Sequence, residues 1–245
     1  MIGDVGAVLW KELRELPHAL GGRRGGLAGV LLSIVLVGVM IPLDEGPDFL
    51  SGWQPVFFAS LWALVTVTAV VADSFAGERE RHTLETLLAS RLRDGAILVG
   101  KLLAAVLYGV ALSVALLAVA FATVNLRFRA DGPHLYPAPV AAAALGLALL
   151  GAGLAGSAGV LVSLRAATVK QAQQILMTAL MLLFLVPFFG LRALPAAWKA
   201  RLFGWLAGAS PAEVLAAVAA VLLALDLALL AAARARFRRA RLLLD

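Results

Sequence analysis

Six apolar runs decide what this chain can fold into. Residues 27–43, 55–75, 98–124, 138–164, 174–191 and 211–233 are each long enough, or nearly so, to cross a hydrocarbon core of ~30 Å at ~1.5 Å per helical residue. Inside a bilayer the backbone must satisfy its own polar groups, and runs of this length do so as helices. A chain of 245 residues that is 62% hydrophobic, with mean hydropathy +0.95, also lacks the polar residues needed to clothe a water-soluble surface. The expected class is an all-α polytopic membrane protein with six transmembrane helices.

The basic residues orient these spans. Sixteen of the 21 Lys and Arg fall in the N-terminal segment, the second and fourth connections and the tail, against five in the other connections. The positive-inside rule then puts both termini in the cytoplasm. Arg outnumbers Lys 17 to 4 and alanine is abundant, the usage of a GC-rich bacterial genome, so the expected location is the bacterial cytoplasmic (inner) membrane. The first apolar run is followed by Asp44, Glu45 and Asp48 rather than a small-residue cleavage site, so it reads as a retained span and not a signal peptide.

The +6 net charge does not point to nucleic acid, because the cations sit where lipid headgroups would meet them and no basic patch interleaved with aromatics accompanies them. With no cysteine, disulfides, thiolate catalysis and Cys-based metal sites are excluded together. Gly95 to Lys101 fits most of a phosphate-binding loop, but Leu102 stands where magnesium needs Ser or Thr, and no strand precedes it. Ser157 in the fourth span has no histidine at membrane depth to act as its base, since His18, His82 and His134 all lie outside the spans. The three histidines are scattered and no acids cluster within the spans, which argues against a metal site.

Residues 1–26 read as an amphipathic elbow helix and hinge. Val5, Val8, Leu9, Leu13, Leu16 and Leu20 recur at helical spacing opposite Lys11, Glu12, Arg14 and Glu15, with Trp10 as an interfacial anchor. Pro17 and the glycine-rich run at 21–26 are expected to break the helix before the first span. Residues 76–95 read as one cytoplasmic helix, with Leu84, Leu87, Leu88 and Leu92 as its apolar stripe and Glu78, Arg79, Glu80, Arg81 and Glu85 as a mixed-charge face. Asp94 is the expected N-cap of the third span, and Lys101 should snorkel from its inner end. Small residues in the fourth span, Gly146 to Gly159, invite close helix approach. Pro187 to Gly190 should end the fifth span. Residues 192–210, with Trp198 and Trp205, read as an outer-leaflet re-entrant segment.

Two acids lie within spans, Asp73 and Asp226, and neither is stable as a lone charge in lipid. Pairing with Lys101 or Arg165 is the expected structural answer, and a proton path through Asp226 the functional one. The pathway otherwise reads as mainly apolar with scattered hydroxyls such as Ser60, Thr66, Thr68, Tyr108, Ser113 and Thr178, which leans towards a lipophilic cargo. No repeat of the first three spans is visible in the last three, which argues against an inverted-repeat carrier.

The segment from Asp73 to Lys101 resembles the ABC-2-type transporter permeases, the membrane subunits of ATP-binding-cassette exporters. Their pattern is an acid at the end of the second span, a Gly-Glu-x-Glu-x-x-Thr-Leu-Glu-x-Leu-Leu run, and Gly-Lys opening the third span. This chain has Asp73, the run Gly77 to Leu88, and Gly100-Lys101, with His82 where many relatives have glycine and Arg91 where a proline is common. The resemblance implies a coupling helix inserted into a separate ATPase subunit, which would bind ATP and magnesium while this chain binds no cofactor. Glu78, Arg79, Glu80, Arg81, Thr83, Leu84, Glu85 and Leu88 would make that contact, and a second permease copy, identical or paralogous, would complete the pathway. An ion- or proton-coupled secondary transporter using Asp226 is the alternative reading, and a non-transporting membrane scaffold is a further rival.

Overall fold

The computed structural model describes residues 2–21, 24–83 and 91–236, in which every regular element is helical. Helix α1 (Ile2–Gly21) precedes a first span built from α2 (Arg24–Val35), a π-helical turn (Leu36–Met40) and α3 (Ile41–Glu45). The short α4 (Asp48–Ser51) leads into α5 (Gln54–Glu80), and the remaining long helices are α6 (Asp94–Arg127), α7 (Ala138–Ser163), α8 (Val169–Ala193) and α10 (Pro211–Arg236). The shorter α9 (Ala196–Gly208) stands between the last two. Six stretches among the described residues are long and apolar enough to cross a membrane, matching the six expected runs.

The core is the packing of α5 on α7, with α6 against both and α10 on the far side of α7. Small residues make this possible: Ala59, Ala63, Ala144, Ala148, Ala152 and Ala155 are buried in one cluster. Backbones there come so close that a Cβ on Gly109 would sit 2.5 Å from Val67 and one on Gly159 would sit 2.6 Å from Val71. Lipid tails supply no hydrophobic drive between helices, so close van der Waals contact must hold the bundle. The hydroxyls belong to this packing too. Ser60 and Thr68 donate to carbonyls one turn back in α5, Val56 and Leu64, at 2.6 and 2.7 Å, and Ser113 donates across to Ala59 of α5 at 2.8 Å.

The first span leans on α6 through its π turn. Buried Gly38 lies where a Cβ would be 3.0 Å from Val119, and its carbonyl accepts a 2.9 Å bond from the Thr123 hydroxyl. At the opposite end of α6 from Lys101, Asn125 pins residue His134 by donating to its carbonyl and accepting from its N–H, both at 2.9 Å. Tyr136 donates to the Leu117 carbonyl at 2.9 Å and stacks on Phe121.

Several boundaries differ from expectation. Helix α1 continues through Pro17 to Gly21, and α8 continues through Pro187 to Ala193, so neither proline ends its helix. Helix α8 also begins five residues before the apolar run at 174, because the Thr168 hydroxyl accepts from Gln171 N and caps the helix there. A capping box starts α10, with Ser210 Oγ accepting from Glu213 N and Glu213 Oε2 from Ser210 N. Asp94 is not the N-cap of α6 but its first residue, where its charge favours the helix N-terminus; extended Arg93 holds the cap position. Helix α9 carries exposed Trp198, Phe203 and Trp205 within the 192–210 segment.

Candidate functional site

The charged run after the second span does not continue as helix into the third. Helix α5 stops at Glu80, and the chain turns through His82, the one non-glycine residue with positive φ (55°) among the described residues. The turn is a Schellman motif: Thr83 N donates to Glu78 O at 2.9 Å and His82 N to Arg79 O at 3.1 Å. A left-handed residue is required at the second-to-last step, which is why glycine suits that place and why histidine there is strained. The continuous helix expected over 76–95 is thus corrected at its start, where residues 76–80 belong to α5 and 81–83 turn away, and at its end, where 91–93 are not helical. Leu84, Glu85, Leu87 and Leu88 lie outside the described residues.

Just before that turn, three consecutive charges are each fastened to a different part of the protein. Glu78, expected on an outward face, is buried. Its carboxylate lies 3.4 Å from Lys101 Nζ and 3.6 Å from Lys11 Nζ, and it accepts from the Thr83 hydroxyl. Lys101 also bonds Glu12 of α1 at 2.7 Å and rests over the Phe75 ring. The snorkelling expected of Lys101 is therefore overturned: its side chain is 2% exposed, and Glu78 is 8% exposed. Helix α1 reaches this pair because Gly100 has no side chain; a Cβ there would stand 2.7 Å from Val8.

Arg79 spans the opposite side. Its Nη1 donates to Ala166 O at 2.5 Å and its Nη2 to Leu164 O at 2.8 Å, gripping the turn between α7 and α8. Glu80 accepts from Val169 N at 3.0 Å, so it caps the first turn of α8. Ser163 completes the joint. Its hydroxyl accepts from Phe75 N and Ala76 N at 3.1 and 3.0 Å and donates to Ala72 O at 3.1 Å, lying against one turn of the α5 ladder. None of these partnerships has a local signal, since each joins residues more than 80 positions apart.

Asp73 pairs with neither Lys101 nor Arg165. It bonds Arg81, the residue that caps the end of α5, at 3.2 Å, across Gly77. A Cβ on Gly77 would collide with the Asp73 carboxylate and stand 2.7 Å from Arg81 Nη2, so the pair exists only because position 77 is bare. Burial disfavours the Arg81 charge, but Asp73 more than offsets that and holds the proton tighter than usual. Asp226 likewise makes no ion pair with the described residues, Lys101 and Arg165 included. It is half-buried where α10 crosses α7, and the Ser157 hydroxyl lies 3.5 Å from its Oδ1, near Gly153. Gly95 to Lys101 lies within α6, so the glycines and lysine there form no phosphate-binding loop.

The sequence profile described as ABC-2 family transporter protein matches residues 44–219, well over half of the chain. The chain belongs to the ABC-2 family. It is a membrane permease of an ABC transporter, a multi-pass transport component whose family implies an ABC ATPase as partner. No curated protein matches it. The matched region of this ABC-2 permease contains Asp73, Glu78 to Arg81 and Lys101, but not Lys11, Glu12 or Asp226.

Proposed function

We propose that this permease couples ATP hydrolysis on a separate ATPase subunit to substrate export, and that the ATPase docks on the segment between α5 and α6. The reading rests on the way Glu78, Arg79 and Glu80 join the base of that segment to α1, α6, α7 and α8. A push on residues 81–93 passes to several spans at once, because the joints are buried ion pairs and charge-assisted hydrogen bonds rather than loose side chains. In this arrangement Arg81, Thr83, Leu84, Glu85 and Leu88 face the ATPase. Glu78, Arg79 and Glu80 act behind them as positioning residues.

ATP and magnesium bind on the partner, and this chain holds no cofactor of its own. A second permease copy, identical or paralogous, supplies the other half of the pathway. Both termini lie in the cytoplasm of a bacterial inner-membrane protein, by the sixteen-to-five distribution of basic residues. Export, rather than import, follows from the resemblance to ABC-2 exporters.

The deciding experiment reconstitutes the permease with its ATPase in vesicles and compares wild type with Glu85→Arg/Leu88→Asp. The variant should insert normally and lose stimulation of ATP hydrolysis. Undiminished stimulation overturns the docking site. Flux driven by a proton gradient without nucleotide, and abolished by Asp226→Asn, would instead make the protein a secondary carrier.

A further inference from the structure

Helices α8 and α10 both lean on α7 and scarcely touch one another, leaving a gap between them at the end of the bundle that carries Arg165. Between them opens a cavity of about 450 Å³. Leu161, Val162, Ile175 and Ala232 give it apolar walls, and Arg165, Arg236 and Gln171 complete its lining. Among the described residues no acidic side chain lines it, and both arginines are exposed, with neither guanidinium making an ion pair or hydrogen bond to a described residue. Two guanidinium groups lining one cavity repel one another, and an anion bound there offsets that cost.

The geometry points to a binding site for an acidic phospholipid, with its phosphate between Arg165 and Arg236 and an acyl chain along Leu161, Ile175 and Ala232. Two features favour a lipid over a soluble anion. The walls below the arginines are hydrocarbon, and the cavity opens beside spans that are almost wholly exposed on their outward faces, α8 and α10. Basic pockets between spans near the inner membrane surface meet a leaflet rich in anionic headgroups. The site lies apart from the Glu78–Lys101 cluster, though its lining includes Ala166, whose carbonyl accepts from Arg79.

Native mass spectrometry of the purified, delipidated permease tests this directly, with equimolar phosphatidylglycerol and phosphatidylcholine of matched acyl chains. Wild type should retain phosphatidylglycerol in preference. Arg165→Gln/Arg236→Gln should lose that preference by at least about tenfold. Ala232→Phe, which fills the cavity and keeps both charges, should lose it as well, while Arg91→Gln/Arg93→Gln, outside the cavity, should keep it. Equal retention of both lipids by wild type, an unchanged preference in either cavity variant, or an equal loss in the Arg91/Arg93 control overturns the assignment. So does displacement of the lipid by inorganic phosphate alone, which would mark a site for free anions.

Discussion

Lys101 Nζ sits 2.7 Å from Glu12 Oε1, joining the third span to the N-terminal helix across 89 residues of sequence. With Glu78 at 3.4 Å and Lys11 beyond it, charges alternate in sign around the buried Lys101 and Glu78, with Lys11 at the solvent edge. Removing one member leaves the rest uncompensated. Lys101→Met should therefore destabilise the permease by about 3–5 kcal/mol, whereas adding Glu78→Met to it should recover part of the loss. Thermal unfolding of the purified variants in detergent checks both signs, and a neutral Lys101→Met would show the pairing to be incidental.

Arg79 makes a sharper functional test than the ion pairs. Arg79→Lys keeps the charge but cannot present two N–H groups to the carbonyls of Leu164 and Ala166 together. Stimulation of the ATPase should fall at least about tenfold while the assembled complex still forms, since the change costs about 1.5–3 kcal/mol of charge-assisted bonding within the joint. Complex formation by size-exclusion chromatography and hydrolysis assays on the same sample separate the two effects.

Gly77 gives a prediction whose sign is informative. In an open helix, Gly→Ala stabilises by about 1 kcal/mol. Here the new methyl would collide with the Asp73 carboxylate and crowd Arg81, so Gly77→Ala should lower the unfolding temperature instead. A rise would mean that the Asp73–Arg81 bridge contributes little.

His82 occupies the left-handed position of the Schellman turn at φ 55°. His82→Gly should stabilise the turn by up to about 1 kcal/mol, and His82→Val should weaken it. Melting temperatures of the two variants should fall on opposite sides of wild type.

Burial pushes the Tyr136 phenol above its usual titration range. Because the folded value is raised, the stabilisation is complete below the unfolded value near ~10 and is lost as pH climbs through the folded one. With only two tyrosines in the chain, alkaline titration followed by phenolate absorbance should show the Tyr136 step only on unfolding. Tyr136→Phe should remove that step. A Tyr136 signal appearing near pH ~10 in the folded protein would contradict the burial.

Much of the architecture was open to reading from residue order. The six spans, the Ala/Gly face of α7 that admits α5, and the Gly77 to Leu88 run that carries the family resemblance are sums over neighbouring residues, and hydropathy and helical periodicity add up locally. Proline misled at positions 17 and 187, where the helices continue past it, because a proline removes one ladder hydrogen bond while ending the helix would leave a whole turn of backbone groups to be satisfied in an apolar surrounding.

What lay beyond the sequence was the direction in which the charges face. Read along the chain, Glu78, Arg79 and Glu80 form a polar surface waiting for a partner, and Lys101 a tether to the lipid headgroups. Only the folded bundle brings Glu12, the carbonyls of Leu164 and Ala166, and the first N–H of α8 to meet them. A charge's environment is decided by whatever distant chain arrives within a few ångströms, and the Coulomb energy that binds it there falls with distance in space, not with separation along the polypeptide.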